Sequence, residues 1–177
     1  MVTADEDVQA VVRAQVGDRA ALEQVLRNAQ PPLMRYVSRL VGPDHAADVV
    51  QDVLIAIARK LAWLTEPRLF RPWAFRIASR AAFRHLRKER RWVQQTDEDG
   101  LDAIPAAEPP SGEFLQELLA SDELSPASRA VLLLHFQEEM PLAEVAAVLE
   151  IPVGTAKSRL AYGLKALRRY LSTRRRS

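Results

Sequence analysis

Hydrophobic residues along the chain recur mainly at three- and four-residue spacing, and β-branched runs that alternate with polar residues are absent. That period is expected of α-helices with one buried face, whereas strands would alternate at every second residue. Alanine, leucine, arginine and glutamate, which favour helices, dominate the same stretches. The pattern predicts an all-α chain with helices at residues 4–16, 18–41, 43–63, 71–92, 113–122, 125–138, 141–149 and 153–172.

The helical pattern lapses between residues 93 and 112, a stretch rich in proline, glycine and acidic residues. Such a composition is typical of a flexible linker. We therefore predict two small helical domains, residues 1–92 and 113–177, joined by an acidic linker at residues 93–112. Asp44 and Ser125 are the predicted N-caps of the helices that follow them.

Composition excludes several kinds of site. The 177 residues include no cysteine, which excludes disulfides, thiolate nucleophiles and cysteine–zinc sites. The three histidines, His45, His85 and His135, are too scattered along the sequence to indicate a histidine-based metal centre, so no metal or cofactor is expected. The first ten residues are acidic and no run of about 18 apolar residues occurs, which predicts a cytoplasmic protein.

The formal net charge of +2 is an average over segments of opposite sign. Residues 59–92 carry a net charge of +9, residues 93–126 carry −9 and residues 153–177 carry +8. The two cationic segments each contain a predicted helix, and they belong to different domains. This distribution indicates a polyanionic partner, and nucleic acid is the obvious candidate.

The first cationic helix, residues 71–92, concentrates its charge on one side. Its arginines fall within a stripe about 80° wide, at Arg76, Arg80, Arg84, Arg87 and Arg91. Because like charges at this spacing repel one another, the stripe favours binding to nucleic-acid phosphates. Trp73 lies near the stripe and could stack on an unpaired base. Alternatively, Trp73 packs in the core and the arginines are simply solvated.

The C-terminal domain contains a predicted helix-turn-helix. Helices at residues 141–149 and 153–171 are separated by a turn at residues 150–152, and in this motif the second helix enters the major groove of DNA. The stripe of the second helix that we expect to be buried consists of Val153, Ala156, Leu160, Leu164, Leu167 and Leu171. Its other side is polar and basic. An αα-hairpin with a basic outer face is the alternative interpretation.

Three motifs, in this order along the chain, resemble one protein family. They are AADVVQDV at residues 46–53, RPWAFRIASRAAFRHLRKERR at residues 71–91 and PVGTAKSRL at residues 152–160. Together they resemble the extracytoplasmic-function (ECF) class of bacterial RNA polymerase sigma factors, which have sigma domains 2 and 4 only. The resemblance extends over about residues 20–92 and 113–172. It implies a non-catalytic subunit that binds core RNA polymerase, directs transcription initiation at promoters and helps to open the minus-ten region.

The resemblance also implies roles for residues of the first domain. The expected contacts with the β′ clamp helices of the polymerase are Asp48, Gln51 and Asp52. The helix with the arginine stripe would bind the minus-ten element, and the loop at residues 62–71 would hold a flipped, single-stranded base. The expected pocket residues of this loop are Trp63, Arg68 and Phe70.

The second domain would bind the minus-thirty-five element of promoter DNA and the β flap of the polymerase. Its expected base-reading residues are Lys157, Ser158 and Ala161, and its expected phosphate contacts are Thr155 and Arg159. The family further implies an anti-sigma factor as a partner that covers both DNA-binding domains.

The sequence departs from the family pattern at several positions. Arg80 and Arg84 stand where asparagine and aspartate are usual, which makes the first cationic helix more basic than is typical. Glu150 replaces a common glycine after the first helix of the helix-turn-helix, at a cost of about 1 kcal/mol if this residue must adopt a positive φ. Ala58 replaces a frequent tryptophan, which should alter packing near the polymerase-binding helix.

Two other functions remain open on the residues alone. A helix-turn-helix regulator that acts without polymerase would explain residues 113–172, but it leaves the arginine stripe and the acidic motif without a role. A recombinase or nuclease would need a metal cluster, for which Asp44, Asp48 and Asp52 are a conceivable set. A solvated or partner-facing stripe is the better explanation of these three carboxylates.

Overall fold

The computed structural model describes residues 4–90 and 124–174, and within these residues all regular structure is helical. The predicted all-α class is confirmed. The chain divides into two compact units, Met1–Glu89 and Arg90–Ser177. The predicted linker at residues 93–112, the predicted helix at residues 113–122 and Arg91 lie outside the described residues.

In the first unit the described residues form four α-helices. These are α1 (Ala4–Gln15), α2 (Arg19–Val41), α3 (Pro43–Lys60) and α4 (Phe70–Arg90). Two 3₁₀ turns, Leu61–Trp63 and Pro67–Leu69, connect α3 to α4. The predicted helix at residues 43–63 therefore tightens into a 3₁₀ turn after Lys60.

The start of α2 is fixed by an aspartate cap. Asp18 Oδ1 accepts a hydrogen bond from the backbone N–H of Ala21 at 3.0 Å, and Arg13 Nε donates to Asp18 Oδ2 at 2.9 Å. The backbone hydrogen bond from Ala21, followed by the contact with Arg13, lowers the pKa of the Asp18 carboxyl below its usual value.

The start of α3 differs from the prediction. Gly42, with a φ of 87°, precedes the helix and Pro43 occupies its first turn. The prediction that Asp44 is the N-cap is wrong, because the proline already has the helical φ and places Asp44 inside the first turn.

A buried polar contact holds α4 against α2. The rings of Tyr36 and Phe75 meet edge to face with their centroids 5.4 Å apart, and both residues are buried. Ser79 Oγ donates a hydrogen bond to the carbonyl oxygen of Phe75 at 2.8 Å. The Tyr36 hydroxyl, 2.7 Å from Ser79 Oγ, is therefore the donor in the hydrogen bond between these two hydroxyls.

In the second unit the described residues form α5 (Pro126–Leu132), a π-helical turn (Leu133–Gln137), α6 (Leu142–Leu149) and α7 (Val153–Arg174). The predicted N-cap of α5 is confirmed, because Ser125 Oγ accepts a hydrogen bond from the Ser128 N–H at 3.2 Å. The predicted helix at residues 125–138 widens into the π turn at its C-terminal end. His135 Nδ1 lies 2.8 Å from the carbonyl oxygen of Met140 and links this turn to the segment that precedes α6.

In the turn between α6 and α7, Glu150 replaces a glycine that is common in the family, and its backbone has the positive φ that such a glycine would adopt. Glu150 is left-handed, with φ 57° and ψ 43°. The N–H of Ile151 donates to the carbonyl oxygen of Ala146 at 3.0 Å, which is the longer hydrogen bond of a Schellman motif. The predicted helix-turn-helix geometry, with its turn at residues 150–152, is therefore present.

Small residues bring α7 close to α5. A Cβ atom at Gly163 would lie 2.6 Å from Leu132 Cδ1, and Leu132 is fully buried. Among the side chains of α7 that the structure describes, the buried residues are Ala156, Gly163 and Ala166. This face differs from the predicted stripe at Val153, which is 43% exposed, and at Leu160 and Leu164, which are half-buried. The side chains of Leu167 and Leu171 lie outside the described residues.

Candidate nucleic-acid interface

One side of α4 is cationic and the other packs in the core. Its buried residues are Ala74, Phe75, Ala78, Ser79 and Ala82. Of the predicted arginines, Arg80, Arg84 and Arg87 are exposed and Arg76 is half-buried. We call these four residues the arginine face. Its members lie three or four residues apart, so they project from successive turns on one side of the helix.

Trp73 contributes mainly to the hydrophobic core of the first unit. It is partly buried, and its ring centroid lies 6.1 Å from that of Phe70. Both rings pack against a cluster made of Ala10, Val11, Val25, Leu61 and Leu64. Packing therefore accounts for the position of Trp73, and its stacking on a base remains a prediction.

A second tryptophan lies in the loop that precedes α4. Trp63 is 77% exposed, although the backbone around it is firmly held. Gln15 Nε2 donates hydrogen bonds to the carbonyl oxygens of Leu61 at 3.0 Å and Leu64 at 2.6 Å, on either side of the tryptophan. The end of α1 thus fixes the loop, a role of Gln15 that no local sequence signal could have indicated.

Two of the three expected pocket residues share a cavity. Arg68 and Phe70 line a space of about 580 Å³ whose other walls come from α1, α2 and the first turns of α4. Trp63 is not among its lining residues. The loop therefore offers two separate features, an exposed aromatic ring and a cavity beside a cationic side chain.

The N-terminal turns of α7 expose two small residues and one lysine. Val153, Gly154 and Lys157 are exposed. The expected contact residues that are half-buried are Thr155, Ser158, Arg159 and Ala161. Ser158 Oγ donates to the carbonyl oxygen of Thr155 at 3.0 Å, which leaves its lone pairs to accept from a base or a water molecule. The sequence analysis missed Val153, because its spacing placed it on the buried stripe.

The expected polymerase contacts form an acidic face on α3. Asp48, Gln51 and Asp52 are all exposed, and the opposite side of the helix is buried. Neither Asp48 nor Asp52 has an ion-pair partner among the side chains of residues 7–89. Two unneutralised carboxylates on one helix face favour a basic partner surface.

An apolar groove of about 430 Å³ lies beside the acidic face. Its lining includes Gln51, Leu54, Ile55 and Ala58 from α3 together with residues of α2 such as Met34. Ile55 is 44% exposed and lies one turn beyond Gln51 and Asp52. Charged residues around an exposed apolar centre are typical of protein–protein interfaces. Ile55 escaped the sequence analysis because a single isoleucine in an amphipathic helix usually packs inward.

Carboxylates and histidines are distributed differently from the expectation. Among the described residues, Asp44, Asp48 and Asp52 do not converge on a common point that could hold a metal ion, whereas His45, His85 and Glu89 do. Two histidines that are far apart in the sequence therefore lie close together in space, and the absence of a metal centre stays a prediction. Helix packing brings His45 of α3 next to His85 of α4.

Comparison with known proteins agrees with both units. The chain matches the family models "Sigma-70 region 2" over residues 25–92 and "Sigma-70, region 4" over residues 122–169. It is 30% identical over 167 residues to the ECF RNA polymerase sigma-E factor of Escherichia coli (strain K12), which covers 85% of this chain and 86% of that protein. The chain belongs to the ECF sigma factors.

Further relatives lie in the same family. The ECF RNA polymerase sigma factor SigE of Mycolicibacterium smegmatis is 27% identical over 179 residues, covering 95% of this chain and 69% of that protein. The sigma factor RpoE of Bartonella quintana, solved with the anti-sigma factor NepR, has the same fold, with a TM-score of 0.66 and 24% identity over 85% of this chain and 96% of that one.

As an ECF sigma factor, this protein directs transcription initiation by RNA polymerase. Sigma factors as a family are not enzymes. The match to region 2 accounts for the first unit, for which a polymerase-independent regulator offers no role. In residues 4–90 and 124–174, no helix combines the length and the apolarity needed to cross a bilayer.

Proposed function

We propose that this sigma factor binds core polymerase through the acidic face of α3 and binds promoter DNA through the arginine face of α4 and the first turns of α7. The observation that carries this proposal is the pair of unneutralised carboxylates, Asp48 and Asp52, in the same unit as the arginine face. A protein that bound only DNA would gain nothing from an acidic surface, because phosphates repel it.

The acidic face and the groove beside it suit the β′ clamp helices of the polymerase. Asp48 and Asp52 would pair with basic side chains, and Gln51 would hydrogen-bond between them. Ile55 and the groove would receive an apolar side chain near the centre of the contact, where burial contributes most to affinity. Ala58 leaves this groove open where a tryptophan is frequent in the family.

The arginine face suits the minus-ten element in its opened form. Arg80, Arg84 and Arg87 would contact successive phosphates, with Arg76 nearer to the core. Trp63 would stack on an unpaired base, and the cavity lined by Arg68 and Phe70 would accept a flipped one. Stacking of this kind offsets the few kcal/mol that unpairing costs.

The first turns of α7 suit the minus-thirty-five element as a duplex. Lys157, Ser158 and Ala161 would meet base edges, while Thr155 and Arg159 would contact phosphates. The exposed Val153 adds an apolar group that could contact a thymine methyl. The second domain would also contact the β flap of the polymerase.

The remaining roles follow from the same assignment. An anti-sigma factor would cover the two DNA-binding surfaces, as the RpoE relative was solved with NepR. The protein would act in the cytoplasm, where the polymerase and the chromosome are, and it would perform no catalysis itself.

Transcription by reconstituted holoenzyme tests the proposal. The variant D48R/D52R should bind core polymerase at least about tenfold more weakly than the wild type and lose promoter-dependent run-off transcripts, because it replaces attraction by repulsion. The matched control is E23R, which reverses an exposed charge on α2 outside the lining of the groove. It should behave as the wild type, because the ion pair that it removes, with Arg19 at 3.6 Å, lies on the surface and contributes little.

A separate measurement distinguishes loss of polymerase binding from misfolding. Peptide-resolved hydrogen exchange of α1 to α4 should be the same for D48R/D52R and the wild type, because both substituted side chains are exposed. Unchanged polymerase binding by D48R/D52R would show that α3 is not the polymerase contact, and an equal weakening per reversed charge by E23R would reduce the effect to net charge.

A further inference from the structure

Three potential metal ligands meet where the start of α3 packs against the end of α4. Glu89 Oε1 lies 3.2 Å from His45 Nε2 and 3.5 Å from His85 Nε2. The two imidazole rings are tilted by 46° with their centroids 4.7 Å apart. One atom from each of the three residues lies within 4.8 Å of the others. The cluster is distant in sequence but compact in space.

One nitrogen in the cluster is poorly satisfied by the protein. His85 Nε2 is buried and has no hydrogen-bond partner among the described residues, and Glu89 Oε1, at 3.5 Å, does not form a hydrogen bond with it. A buried polar atom without a hydrogen bond costs about 1–3 kcal/mol. A ligand that accepts the nitrogen lone pair would remove this cost, and a metal ion does so directly.

The donor set selects the class of ion. Two imidazole nitrogens and one carboxylate oxygen suit zinc and its neighbours nickel, copper and cobalt, whereas magnesium and calcium prefer oxygen alone. In a tetrahedral zinc site with bonds of about 2.0–2.1 Å, ligand atoms lie about 3.3 Å apart. The two distances to Glu89 Oε1 already match that spacing.

We propose that His45, His85 and Glu89 form a binding site for a divalent transition-metal ion of the zinc class. Since no further histidine or carboxylate within residues 7–89 joins the cluster, the fourth position would belong to water. The half-exposed His45 and Glu89 leave that position open to solvent. The bound ion would link the start of α3 to the end of α4, next to Arg84 and Arg87.

Metal titration of the full chain, without an affinity tag and freed of metal by chelation, tests the site. We expect one Zn²⁺ per chain by calorimetry, a higher melting temperature of the first unit with Zn²⁺, and no effect of Mg²⁺. Co²⁺ should give the intense visible absorption of a tetrahedral site. The variants H45Q and E89Q should each weaken Zn²⁺ binding by about tenfold or more.

These two substitutions avoid the more buried His85, so that folding is preserved. The control H135Q removes the histidine of the other unit, and E23Q removes an exposed carboxylate of α2; both should bind Zn²⁺ as the wild type does. Absence of Zn²⁺ uptake by the wild type, or uptake unchanged in H45Q and E89Q, would overturn the proposal and leave only a contact between histidine and carboxylate side chains. The test does not depend on the polymerase or on DNA.

Discussion

The two cationic helices of this sigma factor are held in place by different means. In the first unit α4 is fixed by a polar and aromatic contact, in which Tyr36 packs on Phe75 and hydrogen-bonds to Ser79. In the second unit α7 packs closely against α5, because the absence of a side chain at Gly163 lets Leu132 lie where a Cβ atom would be. The charge pattern is similar in both helices, so it does not reveal how firmly each cationic surface is supported.

The helices also differ in what they expose. The arginine face of α4 repeats one long cationic side chain at successive turns, which suits phosphates of any sequence. The first turns of α7 expose a valine, a glycine and a lysine beside half-buried hydroxyl groups, which suits the edges of particular bases. We infer that α4 contributes mainly to the affinity for DNA and α7 mainly to the preference for a particular DNA sequence.

The largest effect is expected where α7 meets α5. Substitution G163A should destabilise the second unit by about 1–3 kcal/mol, because the new methyl group overlaps a leucine that is fully buried and has little room to move. Hydrogen exchange of the full chain, resolved by peptide, measures the opening free energy of each unit separately.

The same helix supplies the control for this prediction. A Cβ atom at Gly154 would meet nothing within 4 Å, so G154A should change the stability of the second unit by no more than about 0.5 kcal/mol. If G163A were as stable as G154A, α7 would not be held by close approach, and the contrast with α4 would disappear.

The next effect separates the two DNA-binding surfaces. In holoenzyme binding to promoter DNA, R84Q/R87Q should lower affinity about tenfold or more on every promoter sequence and reduce the salt dependence by roughly one to two ions. K157Q should lower the affinity for promoters with the preferred minus-thirty-five sequence more than the affinity for promoters in which this sequence is altered.

Fluorescence titration over a series of salt concentrations and promoter variants measures both quantities. A uniform loss from K157Q across all sequences would assign α7 a phosphate-binding role only, and a sequence-dependent loss from R84Q/R87Q would make α4 a base-reading helix. Either result would contradict the division between affinity and sequence preference.

Much of the fold followed from local pattern, and the exceptions share a physical cause. The helix periods and the Ser125 cap depend on residues close in sequence, and within the described residues these predictions are confirmed, while the helix at residues 113–122 stays a prediction. The burial of Val153 and the Asp44 cap were predicted wrongly, because neighbouring elements decide which side of a helix is covered and where it begins.

The candidate sites divide in the same way. The arginine face of α4 lies on one helix, so spacing was enough to predict it, whereas the acidic face of α3 was predicted from the family resemblance of its motif. His45 and His85 lie on two different helices, α3 and α4. The hydrogen bond from Gln15 to the Leu61 carbonyl oxygen likewise connects the end of α1 to the segment after α3. Contacts between elements so far apart in sequence leave no periodic signal.

A smaller effect is expected from the contact that holds α4. Substitution Y36F removes the hydroxyl that donates to Ser79 but keeps the edge-to-face ring contact and leaves the Ser79 hydrogen bond to Phe75 intact. The first unit should lose about 1 kcal/mol, measured by urea unfolding followed through tryptophan fluorescence. The variant S79A provides the partner for a double-mutant cycle, in which a coupling energy near zero would contradict the hydrogen bond between the two hydroxyls.

The smallest effect concerns the turn that sets the angle between α6 and α7. Glu150 has a left-handed backbone that costs a non-glycine residue more than it costs glycine. Both E150G and E150A remove the side chain and whatever it contacts, so their difference reports the backbone alone. The relief of the left-handed backbone favours E150G, whereas the greater loss of chain entropy on folding of a glycine opposes it. The net result should be that E150G is more stable than E150A by about 0.5–1 kcal/mol. Peptide-resolved hydrogen exchange of α6 and α7 measures this difference, and equal stabilities would show that residue 150 is not left-handed in solution.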